Sequence, residues 1–220
     1  MSVLDDQFKN WSEWFSGLSD EVGHLLIRRE TLKQVASFLE EKGDFYDAVA
    51  LDWFRKWIGS MWGVATAARL RALGDPDPET KSLRCLLDKM ERHPEVFTRE
   101  RYVALTRASD PYTKERANRE FSENFGTGSA IDPEHVEMDI ASMDAAMAAV
   151  KPYVDKRIAH LDPRWRGIQL QFGAVYAALD VLRDLVKKYT LLFTGQFPPG
   201  HFGALVQFDV RKIFEPDSED

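Results

Sequence analysis

The chain has one cysteine in 220 residues, Cys85, so it can form no internal disulfide and no paired-cysteine metal site. Cys85 lies in an apolar helical stripe, which predicts a buried thiol rather than a nucleophile. Histidine is almost as scarce. Of the five in the sequence, His24, His93, His135 and His201 are scattered, with none of the spacings used by zinc proteases. A di-iron bundle needs Glu-x-x-His on two helices plus two further glutamates. The chain offers one such spacing, Glu21 to His24, and a near miss, Asp132 to His135. Neither a metal nor another cofactor is expected. No glycine-rich phosphate loop follows a strand, and no serine-nucleophile motif occurs. No apolar run approaches the roughly 20 residues that cross a bilayer, and Met1 to Gln7 lacks the basic start and apolar stretch of an export signal. The expectation is a soluble, cytoplasmic protein with no membrane partner. A formal charge of −7 argues against a general nucleic-acid coat, because phosphate binding is driven by charge neutralisation and counterion release.

What is present is apolar bulk with helical spacing. The composition is 44% hydrophobic and 12% aromatic, enough for a sizeable core without metal or disulfide staples. Val136, Ile140, Met143, Met147 and Val150 recur at helical intervals. Asp132 caps that run, and Pro133 occupies its first helical position. Pro152 falls inside its projection toward residue 160. An interior proline costs a helix about 3 kcal/mol, so a kink or restart is expected near Lys151. Further helices are predicted over 20–42, 44–73, 80–93 from Thr80, 99–108 and 111–125. A long last helix over 165–193 carries Phe172, Val175, Leu179, Leu182 and Val186, and it stops before the Gly195 to Gly200 segment. The short link from Leu161 to Arg164 predicts an antiparallel hairpin of 132–160 with 165–193. The fold class is therefore all-α. Its expected organisation is an N-terminal helical segment (1–43) packed on a helical domain (44–215), followed by a frayed acidic tail (216–220). Trp53, Trp57 and Trp62, with Leu51, Phe54, Ile58 and Met61, make a helix apolar on most of its circumference. That pattern predicts central burial rather than a base-stacking platform.

Charge is unevenly spread. From Lys151 to Arg166 the cations Lys151, Lys156, Arg157, Arg164 and Arg166 face only Asp155 and Asp162. A second basic segment, Arg99 to Arg119, carries Arg99, Arg101, Arg107, Lys114, Arg116 and Arg119 against Glu100, Asp110 and Glu115. Either segment is a candidate frame for an anion site, although charged helix faces are commonly just solvated. The first contains Asp155-Lys156-Arg157-Ile158-Ala159-His160-Leu161-Asp162-Pro163, a basic helix end that delivers one histidine just before an Asp-Pro stop. Read without chemistry, His160, Lys156 and Arg157 would satisfy the negative end of the helix dipole.

The same segment resembles the signature of the HEPN superfamily, in which an Arg followed by four to six residues and a His serves a phosphate near a dimer seam. Ala159, His160 and the Asp155-Lys156 pair match it. The Arg does not, because positions 153 to 155 read Tyr153, Val154 and Asp155. Arg157 lies three residues before His160, on the same helical face. The resemblance continues in Ala68-Arg69-Leu70, the Gly74 to Pro78 turn, and Ser82-Leu83-Arg84-Cys85-Leu86-Leu87. It continues further in Thr98 to Tyr102, Ala178 to Leu182 and Lys188-Tyr189, in the order found in abortive-infection HEPN proteins of the U type.

The resemblance implies a HEPN-like bundle with long antiparallel helices, assembled as a homodimer. It also implies an RNA-directed role in phage defence, as a metal-independent ribonuclease or toxin. His160 and Arg157 would be catalytic, Lys156 and Arg157 would hold phosphate, and Asp155 would support them. The alternative is a non-catalytic bundle that binds a nucleotide, an RNA or a partner protein, since the signature Arg is missing.

Overall fold

A computed structural model of the chain describes residues 2–42, 47–107, 110–158 and 169–196. Helix α1 runs over Val3–Glu41 and starts far earlier than the expected position near residue 20. Ser2 sets that start through a capping box. Its hydroxyl accepts from the Asp5 amide at 3.2 Å, and the Asp5 carboxylate accepts from the Ser2 amide at 3.0 Å. Trp11, Phe15, Leu18, Val22 and Leu25 then follow at intervals of three and four and, with Leu26, are buried. The helical period thus extends back into the segment that carries Gly17.

The remaining helices are α2 (Ala48–Leu73), α3 (Leu83–Arg92), α4 (Arg99–Leu105), α5 (Pro111–Phe125), α6 (Pro133–Met147), the single turn α7 (Lys151–Tyr153) and α8 (Phe172–Thr194). The described residues form an all-α bundle in which the long helices run antiparallel. Early α1 meets late α8 where Phe15 stacks on Phe193, with centroids 4.6 Å apart. Late α1 meets early α8 where Arg29 reaches Asp180 at 2.8 Å. The α1–α2 pair is antiparallel too. Glu21 bonds Arg69 at 2.6 Å, while Val35, Phe38 and Leu39 pack on Leu51. That last contact is a small core of its own, separate from the main one. The outer half of the α1–α2 hairpin therefore extends past the main core.

Helix α6 packs on α3 and α8. At its contact with α8, Asp139 accepts from Lys188 at 2.6 Å and from the buried Tyr189 hydroxyl at 2.8 Å. Burial first, and then the Asp139 charge, push the Tyr189 phenol well above its ordinary range.

Three helix boundaries differ from expectation, each for a local reason. Helix α3 starts after Ser82 rather than at Thr80, because the Ser82 hydroxyl caps the Cys85 amide at 2.9 Å. The run projected over 132–160 breaks after Met147, restarts as the turn α7, and continues as a π-helical turn over Val154–Ile158. Pro152 lacks the amide that a continuous helix would need there. Helix α8 starts at Phe172 rather than near 165, and residues 169–171 are not helical.

Helix α8 ends at Gly195, which takes φ 64° and donates its amide to the Leu191 carbonyl at 2.8 Å. A Cβ on Gly195 would also lie 2.5 Å from the Leu105 backbone. Gly195→Ala therefore faces both a left-handed backbone and a rigid neighbour, and we expect a loss of at least about 1 kcal/mol. For a chain of this size that is a fall of roughly 2–4 °C in the thermal midpoint. An unchanged midpoint would contradict this account of the helix end.

Candidate phosphate-binding groove

The signature segment enters the structure through the turn that Pro152 forces. Tyr153 and Val154 are buried and anchor it. Asp155 accepts from Arg71 Nε at 3.0 Å, and Arg71 also reaches Asp75 at 3.4 Å. Asp155 therefore ties the π-helical turn to α2. Lys156 is half-buried and Arg157 exposed, with the Arg157 guanidinium 5.7 Å from the Tyr153 ring centre. Ala159 and His160 lie outside the described residues, as does His201.

Arg157 lines a groove of about 850 Å³ together with Arg55, Lys56, Gly59, Ser60, Gly63 and Val64 of α2, Tyr153, and Gln169, Leu170 and Phe172 at the approach to α8. Its shape depends on two glycines one helical turn apart. A Cβ on Gly59 would meet the Phe172 ring at 3.2 Å, so that the ring would have to give by a few tenths of an ångström, while one on Gly63 would meet Leu170 at an ordinary 3.5 Å. The charge has one sign. Arg55, Lys56 and Arg157 contribute three cations, and no carboxylate is among the described lining residues. Lys56 also bonds Asp52 at 2.6 Å, but both side chains are well exposed. Such a surface pair contributes only about 0.3–0.5 kcal/mol, so an anion can displace it at little cost.

The structure thus brings Arg157 to the groove, while Lys156 is not among its lining residues and Asp155 acts as the tie to α2. The sequence reading missed Arg55, Lys56, Gly59, Ser60 and Gly63. The available signal was the Gly59–Gly63 spacing beside two adjacent cations. The expected burial of the α2 tryptophans is overturned for two of them. Trp53 is 63% exposed, Trp57 49% and Met61 59%. Where α2 extends past the main core, α1 covers one face through Leu51, Phe54 and Ile58, and the opposite face stays open. Trp62 lies further along and packs on Phe172 at 5.7 Å and Tyr176 at 5.5 Å.

In the second basic segment, three of the cations are engaged internally. Arg99 donates to the Asn118, Gly126 and Gly128 carbonyls and to the Ser122 hydroxyl. Arg101 bonds Asp5 and the Val96 carbonyl, and Arg116 bonds Glu120. Cys85 is buried, and desolvation pushes its thiol up, away from thiolate reactivity. His93 contacts Glu95 at 3.1 Å and His135 the Asn124 carbonyl at 3.3 Å. Among the described residues, no three His, Cys, Asp or Glu side chains converge as metal ligands. No described helix is long and apolar enough to cross a membrane.

The described residues thus form an all-helical bundle of long antiparallel helices with a basic turn set against α2. The chain belongs to the AbiU2 family, whose model matches residues 8–213. No curated protein and no solved structure matches it.

The Asp155–Arg71 pair makes a testable claim about the turn. Asp155→Ala should speed amide hydrogen exchange over Val154–Ile158 while leaving α3 and the second half of α8 unchanged. Equal exchange in the two proteins would show that Tyr153 and Val154 hold the turn without the ion pair.

Proposed function

We propose that this protein recognises the phosphate of an RNA or nucleotide in the α2 groove, as part of phage defence. Arg157 and the cations of α2 hold the phosphate, and Lys156 adds positive charge from the neighbouring turn. One observation carries the reading: Arg157, from the segment that resembles the HEPN signature, shares a groove with Arg55 and Lys56 of α2. Guanidinium groups suit this task because their planar fork pairs with phosphate oxygens through two hydrogen bonds at once.

In the catalytic form of this reading, His160 takes the proton of a ribose 2′-hydroxyl or returns one to the leaving 5′-oxygen, and no metal is needed. A second reading, binding without cleavage, is favoured by Tyr153, Val154 and Asp155 standing where the signature has its Arg.

The test is RNA cleavage in the presence of a chelator. The wild type should cleave, and His160→Ala should abolish cleavage while leaving the circular dichroism unchanged. Arg157→Ala should weaken RNA affinity roughly tenfold or more, the scale of a lost charge-assisted hydrogen bond. Binding without cleavage, still dependent on Arg157, selects the second reading. Cleavage that survives His160→Ala, or that requires a divalent metal, contradicts the role given to His160. RNA affinity indifferent to Arg157→Ala contradicts the groove itself.

A further inference from the structure

We infer that Trp53 and Trp57 are a stacking platform for the bases of a single-stranded nucleic acid whose backbone lies in the adjoining groove. The inference rests on the groove being a phosphate site. The two indoles are parallel, with 6° between their planes and 6.1 Å between centroids, and both are largely open to solvent. Stacked on each other, the indoles leave their outward faces to solvent, where a base can extend the stack.

The platform and the groove share an edge. Residues three apart on a helix are neighbours. Lys56 therefore stands beside Trp53 and Ser60 beside Trp57, and both Lys56 and Ser60 line the groove. The run Trp53-Phe54-Arg55-Lys56-Trp57 supplies aromatic faces and cations within about one helical turn. Single-stranded nucleic acid needs this combination, because a charged track follows the backbone while aromatic rings take the bases. A duplex cannot use it in the same way, since its bases are stacked on one another and their faces are not available.

Charge selects this occupant over a second copy of the chain. A two-fold contact through Trp53 and Trp57 would place the same patch of both copies together. The Arg55, Lys56 and Arg157 grooves would then lie side by side, and like charges repel. A polyanion neutralises them instead. With the whole chain at −7, a polyanion is repelled from most of the surface and focused on this region.

The test compares a uridine oligomer of about eight nucleotides with an abasic ribose-phosphate chain of equal length. Both are titrated into the full chain at low salt, and the readouts are affinity and quenching of tryptophan emission. The oligomer should bind on the order of 10- to 100-fold more tightly, the effect expected of stacking on one or two bases, and it should quench the emission. Trp53→Ala and Trp57→Ala should each lower oligomer affinity toward the abasic level and leave abasic affinity unchanged, while Trp57→Phe should keep most of it.

Equal affinity for the two ligands overturns the platform and leaves the phosphate groove standing. Failure of both to bind overturns both. Equal binding of a duplex also overturns the platform. So does a Trp57→Ala protein that sediments as a smaller species than the wild type with RNA affinity unchanged, because the ridge would then be a contact between copies.

Discussion

The candidate site depends on how the chain recovers after Pro152. A helix continuing straight on from α6 would carry Arg157 along the α6 axis. The missing amide at Pro152 breaks that line, and the chain turns through α7 into the π-helical turn. Buried Tyr153 and Val154 anchor the turn, and the Arg71–Asp155 pair fixes it to α2. Only in that setting does Arg157 face Arg55 and Lys56. Asp155 therefore has a mechanical role, and the cation two residues later meets the ligand.

The groove also depends on how α2 is covered. Among the described residues, α1 packs on its outer half, burying Leu51 and partly burying Phe54 and Ile58. One face of the outer half is free, and it carries Trp53, Trp57 and Met61. Gly59 and Gly63 let Phe172 settle against α2, which joins the approach to α8 to the same surface. A single stretch of one helix thus supplies two of the three cations, both glycines and the aromatic edge. Exposed apolar surface of this kind on a folded chain usually marks a contact site.

The fold was legible in the sequence because helical spacing survives wherever a face is buried against a neighbour. Val136 to Val150 and Phe172 to Val186 followed that rule, and Pro152 marked the break. The start of α1 was missed although Trp11 to Leu26 carries the same spacing and Ser2 and Asp5 form a capping box. Gly17 and Gly23 weaken the helical signal, but no atom lies within 4 Å of where their Cβ would be, so there they serve no tight contact.

The site was only half legible, for a different reason. Arg157 could be picked out because it sits in a segment that resembles a known signature. Arg55 and Lys56 are distant in sequence and meet it only through tertiary packing. Trp53 and Trp57 were assigned to the core because periodicity records which residues are apolar, not how far a helix extends beyond its neighbours. The pieces that resemble the family at Ser82, Thr98 and Tyr189 proved to be structural, as two helix caps and a buried hydroxyl bonded to Asp139.

The central claim is that Arg55, Lys56 and Arg157 act on one phosphate track, and the salt dependence of binding tests it most directly. Each phosphate neutralised on a single strand contributes about 0.7 to the slope of log affinity against log salt. Single alanine substitutions at Arg55, Lys56 and Arg157 should each reduce the slope for a short single-stranded RNA by roughly that amount. Lys114→Ala, on α5 and outside the groove, should leave it unchanged. Slopes identical to wild type in all three groove variants would contradict the account.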